Sequence, residues 1–415
     1  MEEGKENLNN QPQSEQETPT DGELKQQPDF TEGAAAEKAA ETAVQEVKTE
    51  EIPPEGPPKQ KKGKRIFWNI FLIIVIAIGI LSLLGITREI APGSTGSFVD
   101  VMRGISPLFV CVLLLVVVGI MLLDVSKFCI ISKTVTGKFR VATSAKTSFL
   151  GKYYDAVTPF STGGQPMQIY YLTSKGVSGG NSTAMVFIRY FSSVLTWILW
   201  GAILMIWGTA ENILADVELK TLLLAMGWVG IGVNLIIPIF VTLCLIFPKF
   251  MYKLTSGLVK LGAKMKIVKD VDKTIARAFK VVEDFRSCFK VMATSPLKLI
   301  LLLLVSFAEA GLTFAVPFFV MMAFNSPVDG QLFTVMALNA FATFGVSFIP
   351  TPGNTGAVES LGALAFSVAK GAAIVWSVLF WRLFVYYIYI FIGLGITVYD
   401  MVMKNKKNKL KSKTN

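Results

Sequence analysis

The sequence predicts an all-α protein that crosses a membrane several times. Of its 415 residues, 52% are hydrophobic and only 17% are charged, whereas about a quarter of the residues in a soluble domain are charged. A helix needs about 20 apolar residues to cross the hydrocarbon core of a bilayer. Helices are expected here because backbone polar groups in lipid must be hydrogen-bonded internally. Six apolar stretches indicate six spanning helices, at residues 66–86, 106–123, 184–208, 221–247, 297–324 and 371–399.

The N-terminal part of the chain has a different composition. Residues 1–60 carry fifteen acidic and five basic side chains, a net charge of −10, so the remainder of this +10 chain carries +20. Such a segment cannot bury enough apolar surface to offset its conformational entropy. We therefore expect residues 1–64 to form a disordered acidic tail. This tail lacks the basic start and apolar core of a signal peptide.

The basic residues predict the orientation of the spans. They cluster just before residue 66, between residues 127 and 146, between residues 249 and 290, and in the tail at residues 404–415. Cytoplasmic loops of membrane proteins are enriched in Lys and Arg. With six spans, all four clusters fall on one side, which places both termini in the cytoplasm.

Two segments, residues 149–172 and 332–366, are interrupted by glycine and proline. Both residue types break helices, since proline lacks the N–H group and glycine tolerates positive φ. The arms, of about 10 to 18 residues, are too short to cross the bilayer. We interpret both segments as re-entrant hairpins that enter from opposite faces. Residues 65–208 and 209–403 would then form an inverted repeat, an arrangement in which transporters place a site at the bilayer midplane.

The hairpin tips carry candidate binding residues. Thr162 and Gln165 have the spacing of a capping box, with Thr162 as the N-cap. In the second hairpin, Asn354 or Thr355 would cap a helix that starts at Ala357. Helix N-termini attract anions through free N–H groups and the helix dipole, so a lipid phosphate is the expected ligand. The candidate residues at the tips are Thr162, Gly163, Gly164, Gln165, Asn354, Thr355 and Gly356.

Ionisable residues within apolar segments supply the other candidates, because charge is costly in a membrane and usually faces a cavity or a partner. Arg189 and Arg382 would contact the lipid phosphate, since Arg suits bidentate contact. Glu309 and Glu359 would receive a cationic headgroup. Three alternatives stay open: a structural Glu309–Arg382 pair, a structural Glu359–Arg382 pair, or an Arg189 side chain that snorkels to the interface. Lys152 and Asp155 also lie on a hairpin arm.

A further segment, residues 266–293, shows the pattern of an amphipathic helix. Its apolar residues recur every three or four positions. We expect it to lie on the anionic inner leaflet, and packing of its apolar face against a partner is the alternative. The apolar positions are Val268, Val271, Ile275, Phe279, Val282, Phe285, Phe289 and Met292.

The sequence also excludes several kinds of chemistry. The chain contains no histidine, which removes imidazole catalysis and histidine metal ligands. The four cysteines show no C-x-x-C spacing, which argues against a zinc site or a disulfide framework. We expect no metal and no cofactor. No motif predicts nucleic-acid binding, so the basic character points to membrane phospholipids, and the sequence leaves open whether the protein is a homo-oligomer.

Two motifs carry a family resemblance. TPFSTGGQPMQIYYL (residues 158–172) and FIPTPGNTGAVE (residues 348–359) resemble the signature segments of the lysylphosphatidylglycerol synthase transmembrane-region family. That family includes flippase-like proteins, among them the N-terminal flippase part of the bacterial multiple peptide resistance factor. The resemblance covers about residues 65–400. It implies a multi-pass protein of the bacterial plasma membrane, linked to lipid metabolism and antibiotic resistance, that moves aminoacylated (lysyl) phosphatidylglycerol or a related lipid to the outer leaflet.

Enzymatic and scaffolding functions are the alternatives. The full resistance factor continues into an aminoacyltransferase domain, for which we expect no room after the last span. A phosphatidylglycerol lysyltransferase-type protein would act alone or with a separate catalytic partner. Asp155, Glu309 and Glu359 would be its general acids and bases, whereas a scaffold would gather partners through its acidic tail and basic helix.

Overall fold

The computed structural model describes residues 102–158, 161–215, 220–265, 270–326, 328–347, 349, 354, 356–366 and 373–414. The predicted acidic tail at residues 1–64, the first predicted span at residues 66–86 and Thr355 lie outside these residues. Within them, every regular element is a helix.

Twelve helices and one π-helical turn follow one another along the described chain. They are α1 (Pro107–Thr136), α2 (Val141–Val157), α3 (Gly164–Ser174), α4 (Gly179–Ala210), α5 (Lys220–Ile246), α6 (Pro248–Lys264), α7 (Val271–Ala293), α8 (Pro296–Ala323), α9 (Leu332–Gly345), α10 (Ala357–Phe366), α11 (Ala373–Arg382), the π-helical turn (Leu383–Tyr387) and α12 (Ile388–Thr414).

Five segments are long and apolar enough to cross a membrane. They are α1, α4, α5, α8 and the continuous stretch from Trp376 in α11 to Asp400 in α12. These five correspond to the last five predicted spans, so the multi-pass prediction is confirmed for the described part of the chain. The boundary of α1 differs from its prediction, because the helix continues past residue 123 to Thr136.

Both interrupted segments fold as pairs of short helices. α2 packs against α3, and α9 packs against α10. With 17, 11, 14 and 10 residues, these helices extend roughly 25, 17, 21 and 15 Å at 1.5 Å per residue. All four are shorter than the hydrocarbon core of about 30 Å. Their entry into the membrane from opposite faces, and the inverted repeat, stay predictions.

The helices pack closely around the second hairpin. α9 contacts α4, α5 and α8, while α8 packs along α1. Phe314 and Phe341 are fully buried in the core. Glycine permits a close contact between α5 and α9, since a Cβ atom at Gly230 of α5 would collide with the carbonyl oxygen of Phe344 in α9. This packing holds the end of α9 next to the polar interior.

Residues 271–293 of the predicted amphipathic segment form α7, whereas Val268 lies outside the described residues. The expectation that the apolar face of this helix rests on the leaflet is wrong, because the protein itself covers that face. The apolar face packs on α4 of the same chain, with the rings of Phe285 and Phe187 5.8 Å apart. The Cys288 thiol donates a hydrogen bond to the Asn181 side-chain oxygen over 3.2 Å, and burial raises the pKa of this thiol to about 11. Periodicity predicts that a face is buried without identifying what covers it.

Candidate functional site

Five charged side chains meet in the interior of the helix bundle, and we refer to them as the central charge cluster. α1 contributes two of them, and α2, α4 and α8 contribute one each. Asp124 and Lys127 are each 1% exposed and Glu309 is 3% exposed, so their charges depend on one another and not on water. The cluster consists of Asp124, Lys127, Lys152, Arg189 and Glu309.

Ion pairs connect the cluster across three helices. The Arg189 Nη2 atom lies 2.5 Å from Asp124 Oδ1, and Lys127 Nζ lies 3.1 Å from the same oxygen. Lys127 Nζ is also 2.5 Å from Glu309 Oε2 and donates to Ser193 Oγ over 2.8 Å. Lys127 therefore bridges two buried carboxylates, which satisfies charges that would be costly if unpaired.

Lys152 is the most loosely held member of the cluster. Its Nζ atom lies 3.8 Å from Glu309 Oε1, and its side chain is 35% exposed. A pair at this distance is longer than a charge-assisted hydrogen bond of about 2.7–2.9 Å. The Lys152 ammonium group is therefore the cation most able to engage a ligand.

A polar cavity of about 310 Å³ opens beside the cluster. This volume lies at the lower end of the range of small-molecule sites, about 300–1,000 Å³. Both hairpin tips contribute to its wall, through Ser161 and Gln165 of the first and Ser347 and Asn354 of the second. The cavity is lined by Lys127, Lys152, Asp155, Ser161, Gln165, Arg189, Tyr190, Ser193, Val194, Trp197, Ile198, Asn234, Glu309, Phe344, Ser347 and Asn354.

Two of the four described non-glycine residues with positive φ lie at the two tips. Ser161 and Asn354 have φ angles of 51° and 52°, in the left-handed region that non-glycine residues adopt infrequently. Both residues line the cavity. Strained backbone of this kind is concentrated at functional sites, where the surrounding structure holds it in place.

Two polar groups on the cavity wall retain hydrogen-bonding capacity. Arg189 Nε is buried and has no hydrogen-bond partner among the described residues. Asp155 accepts a bond from the Gly164 N–H group through Oδ1 over 2.8 Å, and no described residue donates to its second oxygen. The wall therefore contains an unused donor on Arg189, which is itself buried, and an acceptor on Asp155 that suits a cation.

The predicted capping box at the first tip is wrong, because the N-cap of α3 is Gly163 and not Thr162. The Gly163 N–H group donates to Thr158 Oγ1 over 2.8 Å, and Gly164 donates to Asp155. These acceptors lie at the end of α2, so the hairpin caps itself. A Cβ atom at Gly164 would collide with the Asp155 carboxylate, which explains the glycine at this position.

The second tip is also capped by a carboxylate of the chain. Glu359 Oε2 accepts a hydrogen bond from the Gly356 N–H group over 2.6 Å. Gly356 precedes α10 directly, so Glu359 stands at the third helical position and forms half of a capping box. The other carboxylate oxygen, Oε1, lies 2.6 Å from Arg382 Nε. The pair is sealed, with Glu359 1% and Arg382 4% exposed.

A buried hydrogen bond connects this ion pair to the first hairpin. The Arg382 guanidinium group lies 4.3 Å from the centre of the Tyr386 ring. Tyr386 Oη donates to the carbonyl oxygen of Ala156 over 2.8 Å. Tyr386 lies in the π-helical turn of the last span, so this span connects the Glu359 carboxylate of the second hairpin to the first hairpin.

The structure brings four of the candidate residues together at the cavity, namely Gln165, Arg189, Glu309 and Asn354. The wall does not include Thr162, Gly163, Gly164, Gly356, Glu359 or Arg382. Of the two alternative ion pairs, Glu359–Arg382 is present. The prediction of a Glu309–Arg382 pair is wrong, because Glu309 pairs with Lys127. Snorkelling of Arg189 is also wrong, since its guanidinium group pairs with buried Asp124.

Asp124 and Lys127 were missed by the sequence interpretation, which placed Lys127 among the basic residues beyond the second span. A signal was present in the sequence. The two residues are three positions apart, the spacing of an ion pair on one helix face. The apolar pattern also resumes after them with Phe128, Cys129 and Ile130, which is typical of a continuing helix.

Comparison with known proteins agrees with this membrane architecture. Residues 68–393 match the family model described as the lysylphosphatidylglycerol synthase TM region. No curated protein and no solved structure matches the chain significantly. The family match extends over most of the 415 residues, including both hairpins and the central charge cluster. The chain therefore belongs to the lysylphosphatidylglycerol synthase transmembrane-region family.

Proposed function

We propose that this protein moves lysylphosphatidylglycerol, or a related anionic or zwitterionic phospholipid, to the outer leaflet of a bacterial plasma membrane. Both termini would lie in the cytoplasm, as the basic segments predict. The observation that carries the proposal is the polar cavity, whose wall combines both hairpin tips with three cations and two carboxylates. A charged headgroup needs such a surface to leave the aqueous interface.

Lys152 and Arg189 form the anion-binding side of the proposed site. Lys152 forms the longest ion pair of the cluster, 3.8 Å from Glu309. The Arg189 Nε atom is a buried donor that has no hydrogen-bond partner among the described residues. A phosphate would supply oxygen acceptors to both groups. Charge-assisted hydrogen bonds of this type contribute about 1.5–3 kcal/mol each.

Asp155 forms the cation-binding side. One of its oxygens caps α3, and the second remains available to the ammonium group of a lysyl headgroup. Glu309 is engaged by Lys127 and Lys152, so we assign it the role of holding the lysines in place. The acyl chains would stay in the surrounding lipid, and a separate synthase would supply the aminoacylated lipid.

Lys152→Gln tests the proposal in vesicles that contain the purified protein and lysylphosphatidylglycerol. Outward movement is measured with an amine reagent that cannot cross the membrane. We expect translocation to slow by about tenfold, the effect of losing about 1.4 kcal/mol. A wild-type rate in this variant would refute the proposed site.

Lys146→Gln is the matched control. Lys146 lies on the same helix with a similar side-chain exposure, 31%, and pairs with Asp400 over 2.7 Å, but it does not line the cavity. We expect its translocation rate to stay within about twofold, because exposed ion pairs contribute little.

The alternative function, lipid modification with a separate catalytic partner, is distinguished in the same vesicles. Phosphatidylglycerol and lysyl-tRNA replace the aminoacylated lipid, and products are measured by mass spectrometry. Formation of a new aminoacyl ester by the purified protein would support catalysis. Our proposal predicts no covalent product in these vesicles, together with outward movement of lysylphosphatidylglycerol in the vesicles that contain it.

A further inference from the structure

Helix α6 presents an exposed apolar face. Leu258 and Leu261 of α6 are 61% and 54% exposed, and Met265, which directly follows the last residue of the helix, is 62% exposed. They follow one another at steps of three and four residues, so they lie on the same side of the helix. Among the described residues, nothing covers this face.

The other two faces of α6 have different surroundings. On one, the Tyr252 ring packs edge-on against Phe279 of α7, with the ring centres 4.8 Å apart. On another, the side chains of Lys253, Lys260 and Lys264 are exposed. The helix is therefore divided into a protein-facing side, a cationic side and an apolar side.

The apolar face of α6 continues an exposed surface of α5. Along α5, Ile236, Ile239, Leu243 and Ile246 are 61%, 53%, 42% and 61% exposed, at steps of three and four residues. Because α5 is long and apolar enough to cross a membrane, this stripe is expected to face acyl chains. Phe247, which is 55% exposed, joins the two helices, so α6 begins where the lipid-facing surface ends.

We propose that α6 lies in the headgroup layer of an anionic leaflet, with its apolar face at the acyl boundary and its lysines on lipid phosphates. Interfacial helices combine these two features, and lysine stems can extend along apolar surface toward the headgroups. Each lysine near an anionic surface contributes about 1 kcal/mol, roughly a fivefold factor. The inference does not depend on lipid transport.

α7 provides an internal comparison. It is also amphipathic and basic, but its apolar residues Phe279, Val282 and Phe285 are 5–8% exposed because they pack within the protein. α6 keeps its apolar residues outside. Of the two helices, α6 therefore has the surface that lipid can cover.

Depth-dependent fluorescence quenching tests this placement in the full-length protein. A fluorescent amino acid is introduced at position 258, 261 or 260, in vesicles of equal parts phosphatidylcholine and phosphatidylglycerol with brominated acyl chains. We expect strong quenching at positions 258 and 261 and weak quenching at position 260, on the lysine side. Equal quenching at positions 258 and 260, or none at 258 and 261, would overturn the proposal.

Charge removal tests the anionic part of the proposal. Lys253→Gln combined with Lys260→Gln and Lys264→Gln should abolish most quenching at position 258, as should vesicles of phosphatidylcholine alone. The matched control combines Arg277→Gln, Arg286→Gln and Lys290→Gln on α7, removes the same charge and should preserve the quenching. Unchanged quenching in the α6 variant would contradict an anionic lipid partner.

A second copy of the chain is the competing occupant of this face. A photocrosslinking amino acid at position 258 distinguishes the two cases, since it reports the molecule in direct contact. Lipid adducts agree with the proposal. Crosslinks between two copies of the chain, in place of lipid adducts, would show that α6 is a dimer interface and would refute it.

Discussion

The central charge cluster and the Glu359–Arg382 pair contain the same residue types in opposite settings. The cluster borders a cavity and includes Lys152, which is 35% exposed and 3.8 Å from its nearest carboxylate. The Glu359–Arg382 pair is closed at 2.6 Å, with both carboxylate oxygens engaged. Both regions therefore bury charged side chains. Only the central charge cluster also has an adjacent cavity and a cation in a long ion pair. We therefore propose ligand binding at the cluster and structural support from the pair.

The largest expected effect on stability comes from breaking the sealed pair. Glu359→Gln should lower the free energy of unfolding by about 3–5 kcal/mol, because it removes the carboxylate that neutralises the buried Arg382 charge. Unfolding is followed by circular dichroism in detergent micelles with increasing denaturant. The double variant Glu359→Gln/Arg382→Met should recover most of the loss.

Asp400→Asn is the control for charge removal without burial. Asp400 pairs with Lys146, and their side chains are 36% and 31% exposed. We expect a change below about 1 kcal/mol. A loss in Glu359→Gln no larger than in Asp400→Asn would contradict the structural role of the sealed pair.

A smaller effect is expected from filling space at the first hairpin tip. Gly164→Ala places a Cβ atom against the Asp155 carboxylate, so we expect about 1–3 kcal/mol of destabilisation from overpacking. Thermal unfolding in micelles measures it. Gly119→Ala in α1 is the control, since nothing lies within 4 Å of the added atom, and it should be neutral or stabilising by up to about 1 kcal/mol. Equal effects of the two substitutions would mean that the tip is not closely packed.

The smallest effect concerns the hydrogen bond through which the last span connects the two hairpins. Tyr386→Phe removes the hydrogen bond to the Ala156 carbonyl oxygen and should cost about 1 kcal/mol, measured by denaturant unfolding. Tyr399→Phe, at a residue that is 56% exposed, should change stability by less than half of that. If both variants are equally stable, Tyr386 does not tie the hairpins together.

The membrane architecture could be predicted from the sequence because it depends on local composition. Apolar runs locate the five described spans, and glycine and proline locate both helical hairpins. The ends of the helices were less predictable. Asp124 and Lys127 are charged and therefore suggest that the span ends before them, whereas their ion-pair partners show that both lie within α1. The sequence also did not predict what covers the apolar face of an amphipathic helix. α6 and α7 have similar patterns of apolar and charged residues, and they differ in their tertiary contacts.

The candidate site was predictable in part. Arg189, Glu309, Gln165 and Asn354 were selected from charge or from a helix break, and all four line the cavity. The cavity itself depends on long-range contacts, such as the one between Lys127 and Glu309, which are 182 positions apart. No local signal in a single sequence specifies such a pair. The carboxylate caps of α3 and α10 join residues only nine and three positions apart. They were missed for a different reason, because they depend on the conformation of the turns that precede the helices.

The most direct test of the account is to map where a phospholipid headgroup binds. Phosphatidylglycerol with a diazirine on its headgroup is photoactivated in vesicles with the wild-type protein, and modified peptides are identified by mass spectrometry. The account predicts adducts in residues 152–165 and 189–197, reduced by excess unlabelled lipid and by Lys152→Gln. Adducts confined to residues 357–366 and 376–387, or adducts that unlabelled lipid does not reduce, would contradict it.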